Sequence, residues 1–343
     1  MNVLTDANAA SRVASPAPGV VAEGIGKRYG EKWALRDVDL DVPAGTVLGL
    51  LGHNGAGKTT AIRILTTLAV PSAGSARVAG LDVVADAAGV RRRIGMAGQY
   101  ATVDGLLSAR RNLEMVGRLY HLPRRQARER AEELLARLGL ADVADGLVRT
   151  FSGGMRRRLD LAASLMGEPP VLFLDEPTTG LDPQGRNDLW ALLRELVDAG
   201  TTLVLTTQYL EEADRLADTI MVLDRGRTVA TGPPAELKAR VGGERIAVTL
   251  AAEDGLVSAS SALEAFADGK SSVERDLLRV TVPVRTGTRL IEVVRALDGA
   301  GVEALDVHRR EATLDDVFLA VTGVEAVRGQ SDADESDAEV AGR

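Results

Sequence analysis

The chain has 343 residues, 45% of them hydrophobic and 26% charged, with a formal net charge of −8 and a pI near 5.2. That length suits two or three cored domains of ~100–200 residues each, and the composition excludes a disordered chain. The acidic balance disfavours nucleic acid as a partner, and the absence of cysteine removes disulfide frameworks and thiolate metal sites, which suits a reducing cytosol.

Taken in chain order, residues 1–19 are small, polar and proline-containing and read as a disordered tail without the basic start and apolar core of a signal peptide. No apolar run approaches the ~18–20 residues of a bilayer span, so the chain is expected to be soluble and to stay inside. From residue 20 to 242, short apolar strands alternate with helical patterns, the mark of an α/β domain with a largely parallel sheet. Val47 to Leu51 form an apolar strand, followed directly by Gly52-His53-Asn54-Gly55-Ala56-Gly57-Lys58-Thr59 and a helical stretch from Thr60 to Leu68. G-x-x-x-x-G-K-T between strand and helix is a phosphate-binding loop: the glycines let backbone N–H groups close around a phosphate at a helix N-terminus. Lys58 is expected to reach the β- and γ-phosphates and the Thr59 hydroxyl to hold Mg²⁺; His53 reads as a loop residue carried along.

Residues 106–148 read as mostly helical, with Leu134, Leu135, Leu138 and Leu140 as a core face. The arginine runs Arg91 to Arg93, Arg124 to Arg130 and Arg156 to Arg158 read as solvated faces, one of which could meet a membrane partner or acidic headgroups. Val171-Leu172-Phe173-Leu174-Asp175-Glu176-Pro177 is a buried strand with two carboxylates at its tip. Alone, such a pair is often a helix-capping turn. Combined with the phosphate loop it points to nucleotide hydrolysis, with Asp175 on Mg²⁺ and Glu176 orienting and deprotonating the attacking water.

Phe151-Ser152-Gly153-Gly154-Met155 precedes that strand and Leu181-Asp182-Pro183 follows it. With these motifs in this order, residues 20 to about 240 resemble the ATP-binding subunit of an ABC transporter. FSGGM stands where the family signature LSGGQ is usual, and Asp182 lies in the family's D-loop. The resemblance implies that Ser152, Gly153 and Gly154 bind the γ-phosphate of an ATP held by a second subunit, in keeping with a serine-capped helix whose dipole faces an anion. It implies that Tyr29, in GIGKRYGEK, stacks on adenine, the alternative being a core tyrosine, and that Gln99 touches Mg²⁺ and links the nucleotide to a membrane subunit. Residues Gly52 to Thr60 are the family's nucleotide cradle. Phe151 and Met155 depart from the signature.

A second departure is LTTQYLEEAD, residues 205–214, where a strand from Thr201 to Thr206 ends near Gln208. Most of the family carries a histidine there that contacts the γ-phosphate. TTQYLEEAD, FSGGMRRRLD and ATLDDVF at 312–318 together resemble the daunorubicin/doxorubicin-resistance exporters within the family. Gln208 can then orient water or stabilise the γ-phosphate by hydrogen bonding; the alternative is a cap for the helix that starts near Tyr209.

After Gly242-Gly243 the pattern changes. Ile246, Val248 and Leu250, then Leu278, Val280 and Val282, alternate as strands, Leu290, Val293, Val294 and Leu297 share a helix face, and Leu305 with Val307 suggests another strand. The expected architecture is an α/β P-loop ABC-type ATPase domain over 20–242 with a helical subdomain at about 100–165. A small α+β domain (β-α-β-β-α-β) follows over 243–324, then an acidic disordered tail over 325–343. Near its end Thr313 and Asp316 make a capping box on a docking helix whose apolar face is Leu314, Val317, Phe318 and Val321. The resemblance implies an ATPase working as a head-to-tail dimer with two ATP at the interface, peripheral on the cytoplasmic face of the membrane and coupled to a separate permease that exports a drug, antibiotic or lipid-like metabolite. The alternative is a soluble ABC-type ATPase of translation or DNA repair, which usually carries two ATPase units or a coiled-coil insertion, neither of which is present in this sequence.

Overall fold

A computed structural model describes residues 18–98, 103–241, 244–269, 271–285 and 287–322. The expected disordered tails, Gln99 and Gly242-Gly243 lie outside the described residues, except that Pro18 and Gly19 already belong to the first strand. The chain divides into two compact bodies. One takes the described residues of Met1–Leu48, Gly55–Thr206 and Arg225–Arg227, the other those of Gly49–Asn54, Thr207–Asp224 and Thr228–Arg343.

The elements run β1 (Pro18–Tyr29), β2 (Lys32–Pro43), β3 (Val47–Leu51), α1 (Lys58–Leu65), β4 (Ala73–Val78), β5 (Leu81–Asp82), α2 (Ala87–Arg93) and β6 (Ile94–Ala97). Next come α3 (Ala109–Leu119), α4 (Arg124–Arg137), α5 (Gly153–Ser164), β7 (Val171–Asp175), α6 (Pro183–Asp198) and β8 (Thr202–Thr207). The last part is α7 (Leu210–Leu216), β9 (Thr219–Asp224), β10 (Arg227–Gly232), α8 (Pro234–Arg240), β11 (Arg245–Leu250), α9 (Gly255–Glu264), β12 (Ser272–Glu274), β13 (Arg279–Pro283), α10 (Leu290–Gly299), β14 (Ala304–Arg310) and α11 (Leu314–Thr322).

In the first body, β2-β1-β4-β5 form an antiparallel sheet, and in β2 Leu35, Val38, Leu40 and Val42 are buried between exposed neighbours. That is the pattern of a sheet with one wet face. Strands β6, β7 and β8 instead pair in parallel and are buried almost throughout, with Ile94 opposite Val171 and Val171 opposite Thr202. Their near-continuous apolar stretches, Val171–Leu174 and Leu203–Leu205 above all, are what a strand covered on both faces needs. Helix α1 ends earlier than the apolar pattern suggests, because Thr67 turns the backbone to φ 66. Helices α3, α4 and α5 pack on one another, with Leu134, Leu135, Leu138 and Leu140 buried as the leucine pattern required. Buried Asn112 on α3 donates to the carbonyls of Asp104 and Ser108 and accepts from the Asp104 N–H, which pins the loop ahead of the helix.

In the second body, the elements from β11 to β14 follow the order β-α-β-β-α-β and make an antiparallel sheet β12-β13-β11-β14. Ile246, Val248, Leu250, Val280 and Val282 meet Leu256, Ala259 and Leu263 of α9 and Val293 and Leu297 of α10 in one core. Leu278, expected in a strand, precedes β13 at φ 47. Helix α11 packs against α7 and α8. Its Asp316 accepts from Arg310 Nη1 and Nη2 at 2.6 and 3.1 Å and from the Thr313 N–H at 2.9 Å, while Arg245 Nε lies 3.2 Å away. The Thr313–Asp316 pairing was legible in the sequence; the two arginines, brought in by β11 and β14, were not.

Candidate functional site

In the first body, Gly55, Ala56, Gly57, Lys58, Thr59 and Thr60 turn the chain into α1. Gly55 and Gly57 sit at φ 83 and φ 113, and a Cβ on Gly57 would stand 2.8 Å from the Ala34 carbonyl oxygen, so this position accepts only glycine. Gly226 donates to the Ala56 carbonyl at 2.9 Å and holds the turn from behind. Gly57 is the N-cap of α1 and makes no side-chain cap hydrogen bond. Lys58 is buried at 6% exposure, whereas Thr59 is exposed and Thr60 half-buried. Burial lowers the Lys58 pKa, and the charges of Glu176 and Asp175 offset part of that shift, in keeping with the packing of α1 against β7.

Those carboxylates end β7. Asp175 is buried and accepts a hydrogen bond from the Thr206 hydroxyl of β8. Glu176 leaves the strand at φ 50, a left-handed backbone that a β-carbon disfavours. Its N–H donates to the Thr206 carbonyl and to Thr206 Oγ1, both at 3.1 Å. On the other side stands Arg157 of α5. Its guanidinium donates to the carbonyls of Asp175 at 2.7 Å, Glu176 at 2.9 Å and Pro177 at 3.1 Å, and through Nη1 to that of Gly98. The reading of Arg156 to Arg158 as a solvated face holds for Arg156, which is exposed while donating to the carbonyls of Val148 and Arg149, and is corrected for half-buried Arg158, which donates to that of Leu138, and for Arg157, which clamps the carboxylate turn. Sequence reasoning missed Thr206 and Arg157. An arginine run carries no signal that its acceptors lie 18 to 59 residues away.

Ser152 caps α5, its hydroxyl accepting from the Met155 N–H at 3.2 Å. Gly153 is open, and a Cβ on Gly154 would touch the Leu181 side chain at 3.2 Å, so the start of α5 lies against the segment that carries Asp182. Asp182 caps α6 through the Gly185 N–H at 2.9 Å, with Pro183 in the first turn. Phe151 is buried as a core side chain. Tyr29 ends β1 half-exposed, with Lys27 Nζ 5.4 Å from its ring centroid, which removes the core-tyrosine alternative.

Gly52, His53, Asn54 and Gln208 belong to the second body. His53 places Nε2 2.8 Å from Asp224 Oδ1 and Nδ1 2.7 Å from the Asn54 carbonyl oxygen, an anchor its place in a loop did not announce. Gln208 follows β8 half-buried and is not the cap of α7. The N-cap is Tyr209, no side chain caps it, and it is the Thr207 hydroxyl that accepts from the Tyr209 N–H at 2.9 Å. Among the described residues, no group of three or more His, Cys, Asp or Glu forms a metal cage, and no helix is long and apolar enough to cross a membrane.

The family model described as ABC transporter matches residues 35–179. The chain is 56% identical over 304 residues to a daunorubicin resistance ATP-binding protein, DrrA3, of Streptomyces coeruleorubidus, covering 89% of this chain and 96% of that protein. It is 38% identical over 321 residues to the Nod factor export ATP-binding protein I of Ralstonia nicotianae, covering 90% and 97%. Among solved structures, a dimeric ATP-binding cassette in a post-hydrolysis state with ADP and Pi superposes with a TM-score of 0.58 at 26% identity, over 62% of this chain and 98% of that one. A buried lysine after a glycine turn, on a helix packed against the parallel strand that ends in two carboxylates, thus sits in a chain that belongs to the ABC transporter family as an ATP-hydrolysing subunit of the export type.

Proposed function

We propose that the chain binds MgATP at the turn Gly52–Thr60, hydrolyses it with Glu176 as base, and drives an exporter of an apolar drug, antibiotic or lipid-like metabolite through a separate integral permease. The observation that carries this reading is the buried Lys58 at the start of α1, a helix packed against β7, whose end presents Asp175 and Glu176. Lys58 clamps the β- and γ-phosphates, N–H groups at the start of α1 donate to phosphate oxygens, and Tyr29 offers an exposed ring to the adenine. The residues fit Mg²⁺: the Thr59 hydroxyl and Asp175, one of whose oxygens is oriented by Thr206, are hard oxygen donors of the few-ligand kind that Mg²⁺ uses with phosphates and water, and Gln99 would join them. Bound with the nucleotide, Mg²⁺ neutralises charge on the β- and γ-phosphates. Glu176 takes the proton of the attacking water, and Gln208 orients that water or the γ-phosphate without titrating near neutral pH.

Ser152, Gly153 and Gly154 have no anion of their own in this reading. They serve the ATP of a second copy, so the working unit is a homodimer, peripheral on the cytoplasmic face of the membrane. The relatives named for daunorubicin resistance supply the substrate class. Nucleotide binding and turnover of two variants test the site: Lys58→Ala should lose binding, and Glu176→Gln should keep it while hydrolysis stops. Steady-state hydrolysis by Glu176→Gln at the wild-type rate would remove Glu176 from the role of base.

A further inference from the structure

Arg157 stands in the FSGGMRRRLD stretch with no chemical role assigned to it, yet it makes four hydrogen bonds to backbone carbonyls at the site. Its guanidinium meets carbonyls on two separate strand ends, Gly98 after β6 and Asp175, Glu176 and Pro177 after β7. Carbonyl dipoles converging on one cation hold a turn that the backbone alone disfavours, since Glu176 sits at φ 50. Only a planar fork with five N–H donors spans such a set; a lysine offers its donors from one point and a glutamine has two. Arg157 rides on α5, the helix that Ser152 opens, so its guanidinium fixes the carboxylate turn relative to the start of that helix.

From this we infer that Arg157 is a positioning residue for hydrolysis, acting through Glu176 by fixing the direction in which that carboxylate leaves β7. The inference rests on the reading of Glu176 as the base. A base misplaced by an ångström loses ~10²-fold in rate while nucleotide contacts elsewhere are untouched. The loss should therefore fall on kcat and not on KM.

The test uses the full-length chain with MgATP and the variants Arg157→Gln, Arg157→Lys, Glu176→Gln and the Arg157→Gln/Glu176→Gln pair, each checked by its thermal midpoint. The expected result is a kcat lowered ~10²-fold in Arg157→Gln, a smaller loss in Arg157→Lys, and KM near wild type in both. In single turnovers the paired variant should be no slower than Glu176→Gln, because a residue that works through Glu176 has nothing left to position. A wild-type kcat in Arg157→Gln, losses that multiply in the pair, or a rate that merely follows the folded fraction would each overturn the role of Arg157 while leaving Glu176 as base. Wild-type turnover in Glu176→Gln would overturn both readings.

Discussion

Replacing Asp316 with alanine should release α11 from the sheet of the second body. The carboxylate is 6% exposed, receives both Arg310 nitrogens at 2.6 and 3.1 Å, and lies 3.2 Å from Nε of Arg245, whose side chain is 7% exposed. It also takes the Thr313 N–H at 2.9 Å and the Thr313 hydroxyl at 3.1 Å, acting as a helix cap. Truncation strands Arg245 without this counter-charge in a buried setting, a situation that costs ~3–5 kcal/mol, with the lost cap contributing about 1 of that. Because each 1.4 kcal/mol is tenfold, amide hydrogens of α11 and β11 should exchange ~10²–10⁴ times faster, read by hydrogen exchange and mass spectrometry on the folded chain. Exchange within about tenfold of wild type would refute the assignment of a buried, interdependent ion cluster. Converting all three partners together, Arg245→Met with Arg310→Met and Asp316→Leu, should restore most of the protection, since apolar side chains of similar volume carry no desolvation cost.

The neighbouring carboxylate behaves oppositely. Burial raises the Asp315 pKa above 3.8, so its stabilising contribution is present below that value and lost as pH rises through the folded pKa; Asp315→Asn should protect α11 better than wild type at pH 7, and the difference should vanish below pH 3.8. For Asp316, burial raises the pKa but the Arg310 and Thr313 hydrogen bonds and the Arg245 charge outweigh it, so its contribution holds above 3.8 and fades as pH falls through the lower folded value. Gly57→Ala should cost ~1–3 kcal/mol from its φ of 113 alone, and a wild-type thermal midpoint would contradict the clash with Ala34. Gln208→His should retain turnover, whereas Gln208→Ala should lose ~10²–10³ of it per folded molecule at saturating MgATP, and near-wild-type turnover in the alanine variant would remove Gln208 from the hydrolytic step.

The parts of the site that were legible in the sequence are those whose cause is local. A glycine that must adopt φ 113 before a lysine, or a serine three residues ahead of the N–H it caps, leaves its trace within one turn of chain. The β7 strand was equally plain, because burial on both faces demands an unbroken apolar run. Thr206 and Arg157 left no such trace. Their partners lie across the sheet or between a helix and two strand ends, and periodicity describes only an element's own faces. The same limit hid Arg245 and Arg310 from Asp316. It also explains the end of α1, where Thr67 breaks a helix whose apolar pattern continues to Leu68.

Glu176 shows why these distant partners matter. A non-glycine residue in the left-handed region costs on the order of 1–3 kcal/mol and persists where its surroundings over-determine it. Here its N–H is fixed by Thr206 of β8 and its carbonyl by Arg157 of α5, while the Thr206 hydroxyl that receives the Glu176 N–H also donates to Asp175. The two positions are therefore linked: one threonine orients the Asp175 carboxylate directly and fixes the backbone from which the Glu176 side chain, the proposed base, departs. A change at Thr206 of β8 or at Arg157 of α5 reaches the proposed base through its backbone, so variants at Thr206 and Arg157 should share one kinetic signature, lowered kcat at unchanged KM. A variant at Tyr29, which in this proposal meets only the adenine, should show the converse, raised KM at unchanged kcat.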